Sequence, residues 1–230
     1  MICSFGVRCP VCNGEELSEQ PVLWAELVND WQLSDIEVDY INRQQGFHCK
    51  RCFNNLRAMG LSAAIMRELK FDGTLNEYCN IVSDVAILEI NRAGNLTSLL
   101  QKLPNHRLIE YPEFDMLNLA IESSSFDLVV HSDTLEHVSN PGRALSECRR
   151  VLRRNGKCIF TVPIIHSRMS RSRSGLSASH HGRREVKSDD QIVHTEFGAD
   201  VWEFVLKSGF RSCDIFSFEF PAALVLIARV

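Results

Sequence analysis

Residues 126–162, FDLVVHSDTLEHVSNPGRALSECRRVLRRNGKCIFTV, read as one strand, helix and strand in succession. Phe126 to His131 is a short apolar run, Pro141 to Leu152 repeats its apolar positions at the 3.6-residue spacing of a helix packed on a sheet, and Lys157 to Val162 is a second apolar run. Asn155-Gly156 supplies a helix stop. This order is the crossover unit of a parallel sheet, in which ligands bind beyond the carboxyl ends of the strands. The loop that follows the first strand, His131 to Val138, is therefore where chemistry is expected.

Working outward, Val85 to Ile90 has the composition of a buried strand, and Asn91-Arg92-Ala93-Gly94-Asn95 is a turn that feeds a helix over 96–103. Arg107 to Glu110 reads as a short second strand, and Tyr111 to Phe114 is short for a full crossover. Toward the C-terminus, a helix over 195–206 with Thr195 as its N-cap is predicted, then strands over 213–218 and 222–228. The expected fold class is α/β, a Rossmann-like doubly wound sheet, mostly parallel with an antiparallel last strand. Residues 74–230 form the main domain, and residues 1–73 a small N-terminal segment that combines a four-cysteine zinc-binding ribbon with a helical cap.

A chain of 230 residues with 45% hydrophobic content can bury one substantial core with an appendage. A formal charge of -4 gives no general attraction to nucleic acid or anionic membrane. No apolar run is long enough to span a bilayer and no secretory leader pattern is present, so a cytoplasmic location with no membrane partner is expected. The oligomeric state is not legible.

Nine cysteines include two C-x-x-C pairs, Cys9/Cys12 and Cys49/Cys52. Two such turns can each present two thiolates to one tetrahedral Zn2+, and the long insertion between them is tolerated because closure entropy grows slowly with loop length. Cys3 and His48 are substitute ligands; a redox pair or plain turn cysteines are the other readings. The insertion, with Trp24, Trp31 and an acidic run at 35–39, reads as a small helix or hairpin over the metal. The run 56–69 has helical spacing, interrupted or divided near Gly60, and either caps the cleft, with Asn55 and Arg57 reaching in, or simply links.

The D-x-V-x-x-x-x-x-L-E-H pattern (Asp127, Val129, Leu135, Glu136, His137) and the A-L-x-E-x-x-R-V-L-R-x-x-G run from Ala144 to Gly156 resemble class I S-adenosylmethionine-dependent methyltransferases of the ubiquinone-biosynthesis-like, small-molecule type. The resemblance implies that the turn after the first strand binds cofactor. The family carries E/D-x-G-x-G-x-G there; this chain keeps Glu89, reads Asn91, Ala93 and Asn95 at the glycine places, and has Gly94 one place off. Asn tolerates positive φ and Ala is small, so binding is weakened as an inference without being lost. By the same resemblance Glu110 accepts from ribose hydroxyls, Asp115 and Met116 lie near adenine, and His131 borders the cofactor. Asp133 and His137 are the candidate catalytic residues, with capping and loop hydrogen bonding as the competing roles.

No D/N-P-P-Y/F tetrapeptide follows the Phe126 strand, which argues against methylation of a nucleobase amine. Residues 166–187 hold six basic side chains (Arg168, Arg171, Arg173, Arg183, Arg184, Lys187) against Glu185, as a mobile insertion able to close over an anionic substrate would. The pair His180-His181, with His194, is a weak second-metal candidate. The leading expectation is a methyltransferase acting on a small, anionic or saccharide-like acceptor. A ribosomal RNA methyltransferase, similar to the bacterial enzymes that pair a zinc ribbon with this domain, is a lesser one, and a catalytically weak binding protein another.

Overall fold

The computed structural model describes residues 8–81, 83–180 and 189–230. At its centre is a six-stranded sheet. Strands β3 (Ile87–Ile90), β4 (His106–Ile109), β5 (Phe126–Ser132) and β6 (Leu152–Thr161) run parallel, and β10 (Ser212–Glu219) and β11 (Ala222–Arg229) complete the order β10-β11-β6-β5-β3-β4. β11 alone runs opposite to the other five strands, so the Rossmann-like expectation holds down to the reversed strand. Every residue of β3 is buried, as a strand covered on both faces requires. Register aligns Ile90, His131 and Phe160 across three strands, which brings their carboxyl ends to one edge.

Helix α6 (Pro141–Val151) has Asn140 as its cap, accepting from Arg143 N at 3.0 Å, with Pro141 at its first position; Ala144, Leu145, Cys148 and Val151 face the sheet. It ends before Leu152, and Asn155, at φ 67°, lies inside the early, irregular part of β6, so the Asn155-Gly156 turn is a feature of the strand and not the helix cap expected from sequence. The helix after β3 is shorter than its spacing predicts: one 3-10 turn (Gly94–Leu96) and α5 (Thr97–Leu100), since Pro104 disfavours helical geometry at Leu103.

The N-terminal segment comprises the pair β1 (Leu17–Ser18) and β2 (His48–Cys49), with α1 (Ala25–Asp30), α2 (Asp35–Gly46) and α3 (Leu56–Glu68); α4 (Leu75–Tyr78) follows it. α3 runs unbroken past Gly60: a Cβ there would stand 3.1 Å from Ala223 O, so the glycine lets the helix lie against the backbone of β11. Val11, Leu56, Leu61, Ile159 and Ile227 share one apolar core, which joins the N-terminal segment to the sheet. The second face of the sheet packs on α6 and α7 (Val201–Lys207).

Residues 195–198 are strand β9, not the start of a helix, and lie between β7 (Ile164–Ile165) and β8 (Arg171–Ser172). Gly198 allows this, since a Cβ there would fall 2.2 Å from Arg168 O. Thr195 therefore caps nothing, and α7 starts after Asp200. Among the described residues no helix is long and apolar enough to cross a membrane.

Candidate active site at the carboxyl ends of the parallel strands

A cleft of about 960 Å³ opens where β3, β4, β5 and β6 end. One wall consists of the loops after those strands. The other comes from the N-terminal insertion, with Leu23, Trp24, Leu27 and Trp31 beside Gln45 of α2 and Arg57 of α3. The insertion therefore walls this cleft, a role its sequence did not reveal.

At the β3 end, Asn91 (φ 55°) and Gly94 (φ 61°) take left-handed backbone positions, and both line the cleft. Asn91 donates from its backbone N to Ile109 O at 2.8 Å, and its Oδ1 accepts from Tyr111 N at 3.0 Å, which ties this turn to the next strand's exit. A Cβ on Gly94 would meet nothing within 4 Å, so its surface is open. Glu89 and Ala93 do not line the cleft. The fully buried Glu89 carboxylate accepts from Ala93 N (2.8 Å) and Thr97 Oγ1 (2.5 Å) and lies 2.8 Å from His106 Nε2, so it shapes the turn from behind.

Glu110, Asp115 and Met116 do line it. Glu110 pairs with Arg92 at 3.0 and 3.2 Å, and Asp115 Oδ1 accepts from Leu117 N at 2.8 Å in an Asx-type turn. His131 does not. Its imidazole is fully buried, stacked on Phe160 at 4.6 Å, with its ring within 4.8 Å of the Cys148 and Cys158 sulfurs; burial pulls it down to about 3. The strand alternation that points Ser132 at the cleft turns His131 into the core.

Asp133 stands at the tip of β5 with φ 44°, a conformation a non-glycine residue keeps only when its surroundings enforce it. Its N donates to Thr161 O at 3.0 Å. Its Oδ2 accepts from Gln45 Nε2 at 3.1 Å and pairs with Arg57. Asn55 caps α3 by accepting from Ala58 N (3.0 Å) and donates to Gln45 Oε1 at 3.2 Å. Behind these lies Glu136, pushed up to about 8 by burial against the pull of Arg57; burial brings Arg57 down to about 10, still cationic at neutral pH. His137 lines the cleft, its Nδ1 3.1 Å from Ile192 O and its Nε2 3.6 Å from Glu136 Oε1; burial lowers its pKa, which favours the neutral ring. A carbonyl at Nδ1 places the proton of that ring there.

The second wall is latched by arginines that the sequence reading left free for a substrate. Arg168 donates to Glu37 Oε1 (2.8 Å) and Oε2 (2.7 Å) and to Trp31 O (2.7 Å). Arg171 and Arg173 both pair with Glu196, and Arg173 reaches Asp30 at 3.2 Å. Residues 166–180 are thus a tied part of the wall, which corrects the expectation of a mobile loop offering these charges to an anion. His181, Arg183, Arg184, Glu185 and Lys187, like Cys3, lie outside the described residues. Among the described residues lining the cleft, Arg57 and Arg92 stand against Glu110, Asp115, Asp133 and Asp190, so the cleft favours neutral or cationic groups. Sequence reasoning missed Gln45 and Glu37, although Ser34-Asp35-Ile36-Glu37 is a legible capping box, present as such in the structure.

On the far side of the Gly94 turn, Cys9, Cys12, Cys49 and Cys52 bring all four sulfurs within 4.8 Å of one another, with Cys9 to Cys52 at 3.6 Å and Cys12 to Cys49 at 3.7 Å. The two pairs are built alike: Asn13 (φ 61°) donates to Cys9 O, and Phe53 (φ 58°) to Cys49 O. His48 is turned away, its Nδ1 2.9 Å from Gly46 O. The second knuckle touches the turn after β3, where Asn95 Nδ2 donates to Cys52 O at 3.4 Å.

Residues 72–160 match the protein family described as "Methyltransferase domain". No curated protein matches the chain. Similar solved structures include a Thermotoga maritima protein named as a SAM-dependent methyltransferase and possible histamine N-methyltransferase (17% identity, 67% of this chain and 85% of that one, TM-score 0.39). The 1,6-didemethyltoxoflavin-N1-methyltransferase of Burkholderia thailandensis, solved with 1,6-didemethyltoxoflavin and S-adenosylhomocysteine, is 12% identical over 93% and 94% of the two chains, with a TM-score of 0.45. A Haloferax volcanii complex of the Trm112 methyltransferase activator with a putative methyltransferase gives 12% identity over 76% and 93%, with a TM-score of 0.42. Residues 72–160 thus match a methyltransferase domain, and they lie within a Rossmann-like sheet that carries one reversed strand.

Proposed function

We propose that the chain methylates a hydroxyl of a small, saccharide-like acceptor, and that its four-cysteine cluster holds a structural zinc. The observation that carries the first reading is one continuous cleft that joins the Asn91–Gly94 turn, Glu110 and Asp115 at one end to Asp133 and His137 at the other. Its volume, about 960 Å³, is at the upper end for one ligand and suits a cofactor and a small acceptor together. A saccharide-like acceptor is preferred to an anionic one because the arginines of the cleft and of the second wall already face carboxylates.

S-adenosylmethionine supplies a methyl already activated on a sulfonium, so alignment and proximity account for most of the acceleration. The left-handed turn at Asn91 and Gly94 would hold its methionine part, Glu110 its ribose and Asp115 with Met116 its adenine. The Glu110–Arg92 pair is half-exposed and opens at little cost. Asp133 orients the acceptor hydroxyl. The hydroxyl oxygen attacks the methyl carbon, the carbon–sulfur bonding pair goes to sulfur, and the hydroxyl proton passes to Asp133 or to neutral His137.

The cysteine geometry supports zinc. Zn–S bonds of about 2.3 Å in a tetrahedron separate the sulfurs by about 3.8 Å, close to the separations within this cluster. A thermal-shift titration with S-adenosylhomocysteine tests the cofactor reading: stabilisation is expected, smaller in Asp115→Ala, and no shift at millimolar ligand would refute it. Incubation with S-adenosylmethionine and a panel of sugars, scored by mass for a gain of one methyl, tests the acceptor.

A further inference from the structure

We propose that Gln45 and Arg57 are positioning residues that hold Asp133 for the acceptor, set in place by the cysteine knuckle between them; this rests on the role given to Asp133 above. The two residues flank Cys49–Cys52 in the chain, on the last turn of α2 and the first turn of α3. Both reach one oxygen, Asp133 Oδ2. They are also joined to each other, because Asn55 Nδ2 donates to Gln45 Oε1 at 3.2 Å while Asn55 Oδ1 caps the helix that carries Arg57. A four-residue knuckle thus fixes the spacing of two arms that close on a single carboxylate oxygen.

The consequence is chemical selectivity. With Oδ2 committed, the one hydrogen bond Oδ1 accepts among the described residues is a long one from Thr161 Oγ1, at 3.5 Å, which leaves a lone pair for an acceptor O–H or N–H. Arg57 is buried, paired with Asp133 and near the Glu136 carboxyl. Its charge is engaged before any substrate arrives, so an anionic acceptor would have to displace Asp133 to reach it. Gln45 and Arg57 therefore select a neutral donor-bearing acceptor, and Asp133 keeps its left-handed backbone because three elements, α2, α3 and β6, hold it there.

The test compares Gln45→Leu, Arg57→Met and Arg57→Lys with the parent chain. The first readout is the Asp133 carboxylate 13C resonance, assigned with Asp133→Asn, which needs no acceptor. Gln45→Leu and Arg57→Met are expected to move it, and Arg57→Lys to move it less. The second readout is methyl transfer to hexopyranosides and to hexuronates: kcat on hexopyranosides falls about tenfold or more in the first two variants, with the KM for S-adenosylmethionine within about twofold, and hexuronates stay poor acceptors. A resonance unmoved in both variants overturns the proposal, as does a parent chain that prefers hexuronates. If the resonance moves and no sugar is methylated, the positioning role stands and the acceptor reading falls. Gln45→Leu removes only a partly exposed amide, so a misfolded Arg57→Met leaves the test intact.

Discussion

Glu37 shows how one carboxylate can hold a wall. Burial pushes its pKa up, but hydrogen bonds from Arg168, Ser167 and the Ser34 cap outweigh that and hold it at about 2. The same residue closes the capping box of α2 and ties α2 to the segment after β7. Its folded pKa lies below the ordinary 4.5, so its contribution to stability is complete above that pH and is lost as pH falls toward 2. Glu37→Gln is expected to cost about 1–3 kcal/mol at neutral pH and to flatten the acid limb of stability between about pH 4.5 and 2. Urea unfolding at several pH values checks this; an unchanged acid limb would remove the latch. At this scale the sequence was informative about residue type and silent about direction. Asp133 and His137 were legible because a strand end in a crossover unit had to face the cleft. Glu89 and His131 were placed in the same neighbourhood, and the fold turned both inward.

Among the elements, β9 departs most from its sequence. The spacing from 195 predicted a helix, yet Thr195–Gly198 forms the middle strand of a three-stranded patch. Local preference is overruled by tertiary partners: β7 and β8 offer backbone hydrogen bonds, and Glu196 is fixed by Arg171 and Arg173. The close approach of Arg168 O leaves no room for a side chain at 198. Gly198→Ala is therefore expected to destabilise by roughly 1–3 kcal/mol, as overpacking does, and to loosen the wall. Faster amide exchange across 164–172 is the measurement, and unaltered exchange would count against the patch as the anchor of the second wall. The crossover unit behaved oppositely. Its first strand and helix end within one residue of their predicted limits because apolar spacing and alternation agree there, whereas β6 begins at Leu152, before the predicted Lys157.

For the whole molecule, the four cysteines and the sheet are coupled through one core. Cys9, Val11 and Cys49 belong to the same apolar cluster as Leu56, Ile159 and Ile227. Zinc held by those thiolates would therefore stabilise the entire chain and not the N-terminal segment alone. Metal analysis is expected to give about one zinc per chain, abolished in Cys49→Ser. Chelation should lower Tm in a single transition and weaken S-adenosylhomocysteine binding, since Asn95, in the turn proposed to hold the cofactor, donates to Cys52 O. Two separate transitions would show that the segment unfolds alone, and a metal-free chain with full stability would remove the zinc reading.

The sequence by itself determined the class of fold, the sheet edge where the cleft opens, the pairing of the two cysteine knuckles and the methyltransferase resemblance. Each of these depends on local spacing and chirality: helical and strand periods, a crossover that closes one way, and turns of fixed length. Only the tertiary structure decided what the cleft is made of. Gln45, Arg57, Trp24 and Trp31 meet Asp133 and His137 across long stretches of chain, and the arginines after β7 close on Glu37, Asp30 and Glu196 instead of facing a substrate. Such contacts follow from how separate elements pack, which no spacing along the chain encodes. The proposal of a neutral acceptor rests on these contacts.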